Sequence, residues 1–295
     1  MTQAPQDDRF QLLGILGRGA TGTVYRAYDL ALGRPVALKA SSHSSRTAAG
    51  ALFAAEFDTW SRLRHPNIVG AYEFAVATRG PIPAGTPYLV LEYVPGRPHG
   101  RMRPAALGIL AAQILSALVH VHEAGFLHRD LKPGNMLAWS LPGRAVRYKL
   151  TDFGLAARIG TSSPLGTFSG SLPYVAPEAL MGLALDGRAD LYGLGIALFR
   201  LATGRMPAPR GGAREILRWH LTGPAPDPTR VRPALSASLI RFLREVTRRD
   251  RDERPRSASC ALELLGIRPR SPRLTTQTRC LSVGSDTLTE QRAGR

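Results

Sequence analysis

The stretch His128-Arg-Asp-Leu-Lys-Pro-Gly-Asn-Met-Leu-Ala-Trp139 constrains this chain more than any other. It sets a carboxylate (Asp130), an ammonium (Lys132) and an amide (Asn135) on one short loop. Asp152-Phe-Gly154 follows, and Ala176-Pro-Glu178 comes after that. Any one of these triplets arises readily by chance. All three, in this order and at these separations, form a signature.

Upstream, Gly17-Arg-Gly19-Ala-Thr-Gly22-Thr-Val24 has the spacing G-x-G-x-x-G-x-V. A dinucleotide-binding turn has the same glycines but needs a helix directly afterwards. Here TVYRAYD follows, β-branched and aromatic, which suits a strand. The loop therefore reads as a β-hairpin lid whose glycines let backbone amides approach phosphates. Val36-Ala37-Leu38-Lys39 places a lysine on the next strand, where an ammonium acts as a compact charge.

Strand-like runs fill the first part of the chain: FQLLGILG, GTVYRAYD, PVALKA and PYLVLEYV, bounded by Gly, Pro or Asp. Between them Thr47–Leu63 has helical spacing. From Pro104 onward the chain reads as helical. Ala105–Glu123 is apolar nearly all round, a buried helix stopped by Gly125, and Asp190–Thr203 repeats the pattern with Gly204 at its end. Segregated strands and helices by themselves say only α+β.

Taken together, these motifs resemble the eukaryotic-like serine/threonine protein kinases of the bacterial type, from about Phe10 to Gly266. The resemblance implies a two-lobed protein-kinase fold of class α+β. The expected boundaries are an N-terminal extension over 1–9, a strand-rich lobe over 10–94, a helix-rich lobe over 95–266 and a basic, disordered tail over 267–295. It also implies ATP as cofactor with Mg²⁺, Mn²⁺ being the alternative ion, and proteins bearing Ser or Thr as substrates.

The roles follow residue by residue. Asp130 orients the substrate hydroxyl and accepts its proton, and Lys132 neutralises the γ-phosphate. Asn135 and Asp152 offer the hard oxygen ligands that Mg²⁺ prefers. Lys39 pairs with the α- and β-phosphates and needs a glutamate to hold it. Glu56 is assigned that task over Asp58, which is shorter and points to another face. Leu16, Gly17, Gly19 and Gly22 belong to the lid. Val24, Ala37 and Leu137 sandwich the adenine. Leu91, Glu92 and Val94 lie at the hinge, with Leu91 at the back of the pocket. His128 and Phe153 pack in the apolar column that aligns the lobes.

The segment Gly170–Glu178 resembles a peptide-positioning element, with Ser171 where Thr is usual. Glu178 is expected to pair with Arg254, and Asp190 to anchor the catalytic loop from below. Thr167 and Ser169 are the candidate phosphorylation sites, within reach of Arg129 for a charge-assisted bond. There are departures as well. Val94–Pro104 encloses only PGRPHGRMR, so the helix flanking the cleft mouth is expected to be shortened or absent, and no acid is offered there to a ribose. Ala208 stands where an aromatic is usual.

Composition separates the remaining alternatives. The 295 residues are 44% apolar and 21% charged, ordinary values for a globular protein with a sizeable core. No apolar run was expected to reach the ~20 residues that span a bilayer. The start MTQAPQDDRF lacks a signal-peptide core, which gives the cytoplasm as the expected location. Cys260 and Cys280 lack metal-ligand spacing and imply no disulfide framework. The net charge of +17 comes from three lysines and 36 arginines dispersed among acids, a compositional bias more than a nucleic-acid footprint. Homodimerisation is left open, with no residue pattern supporting it. Two rivals stand beside a protein kinase: a pseudokinase scaffold, and a small-molecule kinase, which usually lacks the Glu178 and Asp190 ties.

Overall fold

The computed structural model describes residues 9–19, 21–43, 48–96, 101–140, 143, 145–162, 170–232 and 234–267. The smaller lobe is an antiparallel sheet ordered β1-β2-β3-β5-β4. Its strands are β1 (Phe10–Gly19), β2 (Gly22–Asp29), β3 (Arg34–Ser41), β4 (Ala71–Val76) and β5 (Pro87–Glu92). One helix, α1 (Ala48–Ser61), packs on β4 and β5. The β1–β2 hairpin needs glycine at position 22. Gly22 has φ +154°, and a Cβ there would lie 2.1 Å from the Ala40 carbonyl oxygen of β3. At Gly19 a Cβ would meet nothing within 4 Å, so close packing does not demand glycine there.

The larger lobe is built on α2 (Pro104–Glu123) and α4 (Gly187–Thr203), which pack against each other. Short pairs cross its upper face: β6 (Phe126–Leu127) with β9 (Ala157–Arg158), and β7 (Met136–Trp139) with β8 (Arg147–Leu150). Below lie α3 (Pro177–Leu180), α5 (Ala213–Thr222), α6 (Ala237–Val246) and α7 (Ala258–Leu264). This is the two-lobed α+β architecture that the motifs imply.

Local chemistry sets the helix ends. Pro104 starts α2 at a position where its missing N–H costs nothing. Asp186 caps α4 by accepting from the Arg188 amide, and Gly204 closes it at φ +75°. Leu107, Leu110, Ile114, Leu115 and Leu118 of α2 are wholly buried. Each contributes roughly 1.5–3 kcal/mol by leaving water.

Two sequence expectations need correction. Twenty residues long with a mean hydropathy of 1.8, α2 meets the length and composition of a membrane-crossing helix. Its apolar surface is instead used inside the protein, with eight of its residues buried among α4, α7 and β8. Cys260 is disulfide-bonded rather than a free thiol. Cys280 lies outside the described residues, as do Thr167, Ser169, Arg97–Gly100 and the tail beyond Ile267.

The lobes are joined by more than the hinge. Main-chain bonds run from Val69 N to Leu150 O (2.9 Å) and from Leu150 N to Asn67 O (2.8 Å). They fix the loop after α1 onto β8, two residues before Asp152.

Candidate functional site

A cleft of about 730 Å³ opens between the lobes. Its roof is the β1–β2 hairpin with Leu16, Gly17, Gly19, Gly22 and Val24. Ala37, Leu91, Glu92, Val94 and Leu137 form its inner walls, and Lys39, Lys132, Asn135 and Asp152 its polar end. Ala37 and Leu91 are partners across β3 and β5, which is why two residues far apart in sequence share one wall.

At the polar end Lys39 Nζ is 2.7 Å from Glu56 Oε1 and 2.8 Å from Asp152 Oδ1. Glu56 thus stands behind the lysine rather than in the cleft wall, and only 6% of it is exposed. Asp58 faces outward and pairs with exposed Arg62 on the next turn. Burial works against the Lys39 ammonium, but the two carboxylates outweigh it and hold its pKa above the ordinary value. Burial also opposes ionisation of Asp152, and Lys39 more than compensates, drawing it below the usual carboxylate range. For Glu56 burial wins over the shared lysine and the pKa is raised.

The catalytic-loop candidates converge on one carboxylate. Asp130 Oδ2 accepts from Lys132 Nζ (2.5 Å) and Asn135 Nδ2 (3.0 Å), and Oδ1 from the Ser171 amide (3.1 Å). Lys132 also donates to Ser171 Oγ at 3.0 Å. Asn135 Nδ2 donates further to the Asp130 carbonyl at 2.9 Å. Its amide nitrogen is therefore committed, which leaves the carbonyl oxygen for a ligand. That oxygen and the Asp152 carboxylate are hard donors at the polar end of the cleft. Such a pair fits a small divalent cation that takes its other ligands from water and phosphate.

Among the described residues, two that are not glycine have left-handed backbones, Arg129 (φ +67°) and Asp152 (φ +68°). Such conformations cost about 1–3 kcal/mol each and persist only where surroundings impose them. At Arg129 the constraint is Asp190, whose carboxylate accepts from the amides of His128 and Arg129, both at 2.9 Å, and lies 2.8 Å from His122 Nε2. Burial alone would raise the Asp190 pKa; the His122 bond and nearby histidines instead hold it low. His128 reaches the Thr151 carbonyl at 3.0 Å and meets Phe153 edge-on at 4.8 Å, while Phe153 touches Trp60 of α1 at 5.3 Å. The loop, the Asp152 segment and α1 are thereby locked together.

Beneath the site, Arg254 grips Glu178 with two bonds of 2.6 and 2.9 Å, both side chains being almost wholly buried. Its remaining donors reach the carbonyls of Arg188, Arg248 and Arg249. Full pairing of this kind is what allows a guanidinium into a core. Arg200 of α4 donates to the Tyr174 hydroxyl at 2.7 Å, a second tie on the Ser171–Glu178 segment.

Sequence reasoning missed some of these groups. Lys149 was the lysine left outside any motif, yet scarcity of lysine beside so many arginines was a usable signal. Its Nζ binds Glu92 at 2.9 Å. His122 and Arg200 gave no signal, because their partners are distant in the chain.

Comparison with known proteins adds an independent line. The protein kinase domain family matches residues 10–264. The chain is 34% identical over 272 residues to the DNA damage-responsive serine/threonine-protein kinase RqkA of Deinococcus radiodurans, covering 88% of this chain and 39% of that one. It is 37% identical over 242 residues to PknJ of Mycobacterium tuberculosis (78% and 40%) and 32% identical over 253 residues to PrkC of Bacillus subtilis (82% and 38%), both serine/threonine-protein kinases. The chain spans about two fifths of the length of these relatives.

Proposed function

The chain belongs to the protein kinase domain family, and on that footing we propose that it transfers the γ-phosphate of ATP to serine and threonine hydroxyls of proteins. Family membership carries with it the use of ATP and a divalent metal ion; the ion we assign is Mg²⁺. One observation carries the reading further than homology. Asp130 is held by Lys132, Asn135 and the Ser171 amide, so the proton acceptor, the phosphate end of the cleft and the start of the peptide-positioning segment meet at a single carboxylate.

Phosphoryl transfer needs little covalent help, so positioning and charge are the main tasks. In this reading the adenine lies between Val24, Ala37 and Leu137 against the main chain of Glu92–Val94. Lys39, held by Glu56, steadies the α- and β-phosphates. Asn135 and Asp152 would hold the Mg²⁺ ion, which supplies positive charge to the phosphates. Asp130 orients the substrate hydroxyl and takes its proton as the oxygen attacks the γ-phosphorus, whose bond to the β–γ bridging oxygen breaks to release ADP. Lys132 offsets the charge on the γ-phosphate. Ser171 sets the start of the surface that receives the peptide. The catalytic unit is residues 10–266, with lobes meeting after Val94, and the unit phosphorylates its own segment at Thr167, Ser169 or both.

The test is an assay with labelled ATP and Mg²⁺, followed by mass-spectrometric mapping of phosphosites on the protein and on protein substrates. Phosphoserine or phosphothreonine formed by the wild type and lost in Asp130→Asn supports the reading. Nucleotide binding without transfer would make the chain a pseudokinase, and transfer to a sugar or antibiotic alone would make it a small-molecule kinase.

A further inference from the structure

His220 lies on α5, none of whose residues lines the nucleotide cleft. Its imidazole is 1% exposed. Nδ1 is 2.8 Å from the hydroxyl of Tyr192 on α4. The helix packs on the Leu172–Tyr174 turn, which brings the backbone of Leu172 and Pro173 up to the ring, while Nε2 meets hydrogen-bond geometry with no group.

This environment selects the tautomer. A lone pair on Nε2 would face two carbonyl oxygens and be repelled, so the proton resides on Nε2 and Tyr192 donates to Nδ1. Burial pushes the imidazole pKa down to about 4, so the ring stays neutral. The ring therefore presents one N–H donor to the chain just after Ser171. Buried donors almost always find partners. One that faces two acceptors without reaching either needs only a small movement to close the bond.

The surroundings make that movement consequential. The Tyr192 ring is braced by the Arg254 guanidinium 4.8 Å from its centroid, and Arg254 holds Glu178. Trp219 meets His220 edge-on at 5.1 Å. Leu172 and Pro173 lie between Ser171, bonded to Asp130, and Glu178. A cavity of about 860 Å³ has Tyr192, Trp219, His220 and Glu178 in its wall.

We infer that His220 is a positioning residue for the peptide substrate: its Nε2–H closes onto the Leu172 or Pro173 carbonyl when the Ser171–Glu178 segment takes its peptide-binding position, and so favours that position. The inference rests on the reading of the chain as a protein kinase. It separates peptide recognition from nucleotide recognition, because His220 touches the former element and not the latter.

Two variants isolate the donor. His220→Asn keeps an acceptor for Tyr192 near Nδ1 but loses the group at Nε2, whereas His220→Gln extends an amide N–H to the Nε2 position. Kinetics would use the best-phosphorylated member of an oriented Ser/Thr peptide library. The expected result is a peptide KM about tenfold higher in His220→Asn with ATP KM within about twofold of wild type, and recovery to within about threefold in His220→Gln. Equal peptide KM in both variants and wild type would overturn the inference, as would ATP and peptide KM rising together in both. If His220→Asn fails to fold, the same ratio is read from Tyr192→Phe, which removes the hydrogen bond at Nδ1 that fixes the orientation of the ring; an unchanged peptide KM there is equally fatal. A wild-type protein that phosphorylates no peptide would refute the kinase reading itself, a result distinct from an active wild type indifferent to position 220.

Discussion

Lys149 of β8 reaches Glu92 at the end of β5, with Nζ and Oε2 2.9 Å apart, and the same carboxylate oxygen accepts from the Gly70 amide at 3.0 Å. A strand of the large lobe thereby grips the hinge and the entry to β4 together. Both side chains retain some exposure, so the pair is worth about 1 kcal/mol rather than several. A double-mutant cycle with Lys149→Met and Glu92→Gln, followed by urea denaturation, should return a coupling of about that size. Strict additivity would mean that the two side chains are neighbours without consequence.

Asp130 and Asp152 should separate in their effects. Asp130→Asn should lower peptide turnover by about 10²–10⁴-fold while nucleotide affinity changes little, since the acceptor is lost but the nucleotide walls are intact. Asp152→Asn should weaken metal-dependent ATP binding as well, because the same carboxylate pairs with Lys39 and lines the polar end of the cleft. Isothermal titration with and without Mg²⁺ distinguishes the two; identical profiles would contradict the assignment.

Lys39 sits on two carboxylates at 2.7 and 2.8 Å in a site that leaves it 5% exposed. Arginine keeps the charge but brings a larger planar fork. Lys39→Arg should therefore abolish most transfer activity with a small shift in melting temperature. Near-normal turnover would show that geometry at this position is not critical.

Two histidines, half-buried His65 and buried His220, predict a pH dependence of stability. Burial lowers His65 and His220 from the ordinary 6.5 to about 4. The unfolded chain then binds more protons than the native one between those values, so stability falls as pH drops through that window. Above 6.5 both are neutral in either state and the effect vanishes. Urea unfolding at pH 7, 6 and 5 should show proton uptake on unfolding approaching one per histidine, and His220→Asn should remove its share. A flat profile would mean that these rings titrate normally.

Arg129, next to Asp130 in the chain, is half-buried, with burial lowering its pKa against the pull of Asp190. A phosphate at Thr167 or Ser169, with a charge of about −2, would find there a guanidinium that pairs well with phosphate oxygens. The double variant Thr167→Ala/Ser169→Ala should lose activity, and phosphosite mapping should place autophosphorylation at one or both positions. Full activity of the double variant would show that no phosphate is required there.

Much of this protein is local information. The order of Gly17–Val24, Lys39, His128–Asn135, Asp152–Gly154 and Ala176–Glu178 identifies the family, because each piece of chemistry needs its residues on one short loop or strand, where spacing is visible. Four strands of the small lobe and the buried helices α2 and α4 were equally legible, since burial imposes a period on the chain, whereas β4 was not read as a strand. Tertiary structure alone decided the rest. Packing of α1 on the sheet turns Glu56 rather than Asp58 to Lys39, and α2, apolar enough for a bilayer, spends its surface inside the large lobe. Lys149 meets Glu92, and His220 meets Tyr192, across gaps of 57 and 28 positions. Contacts of that reach leave no periodic trace. They depend on where the fold brings two elements together, and that is set by the packing of the whole core.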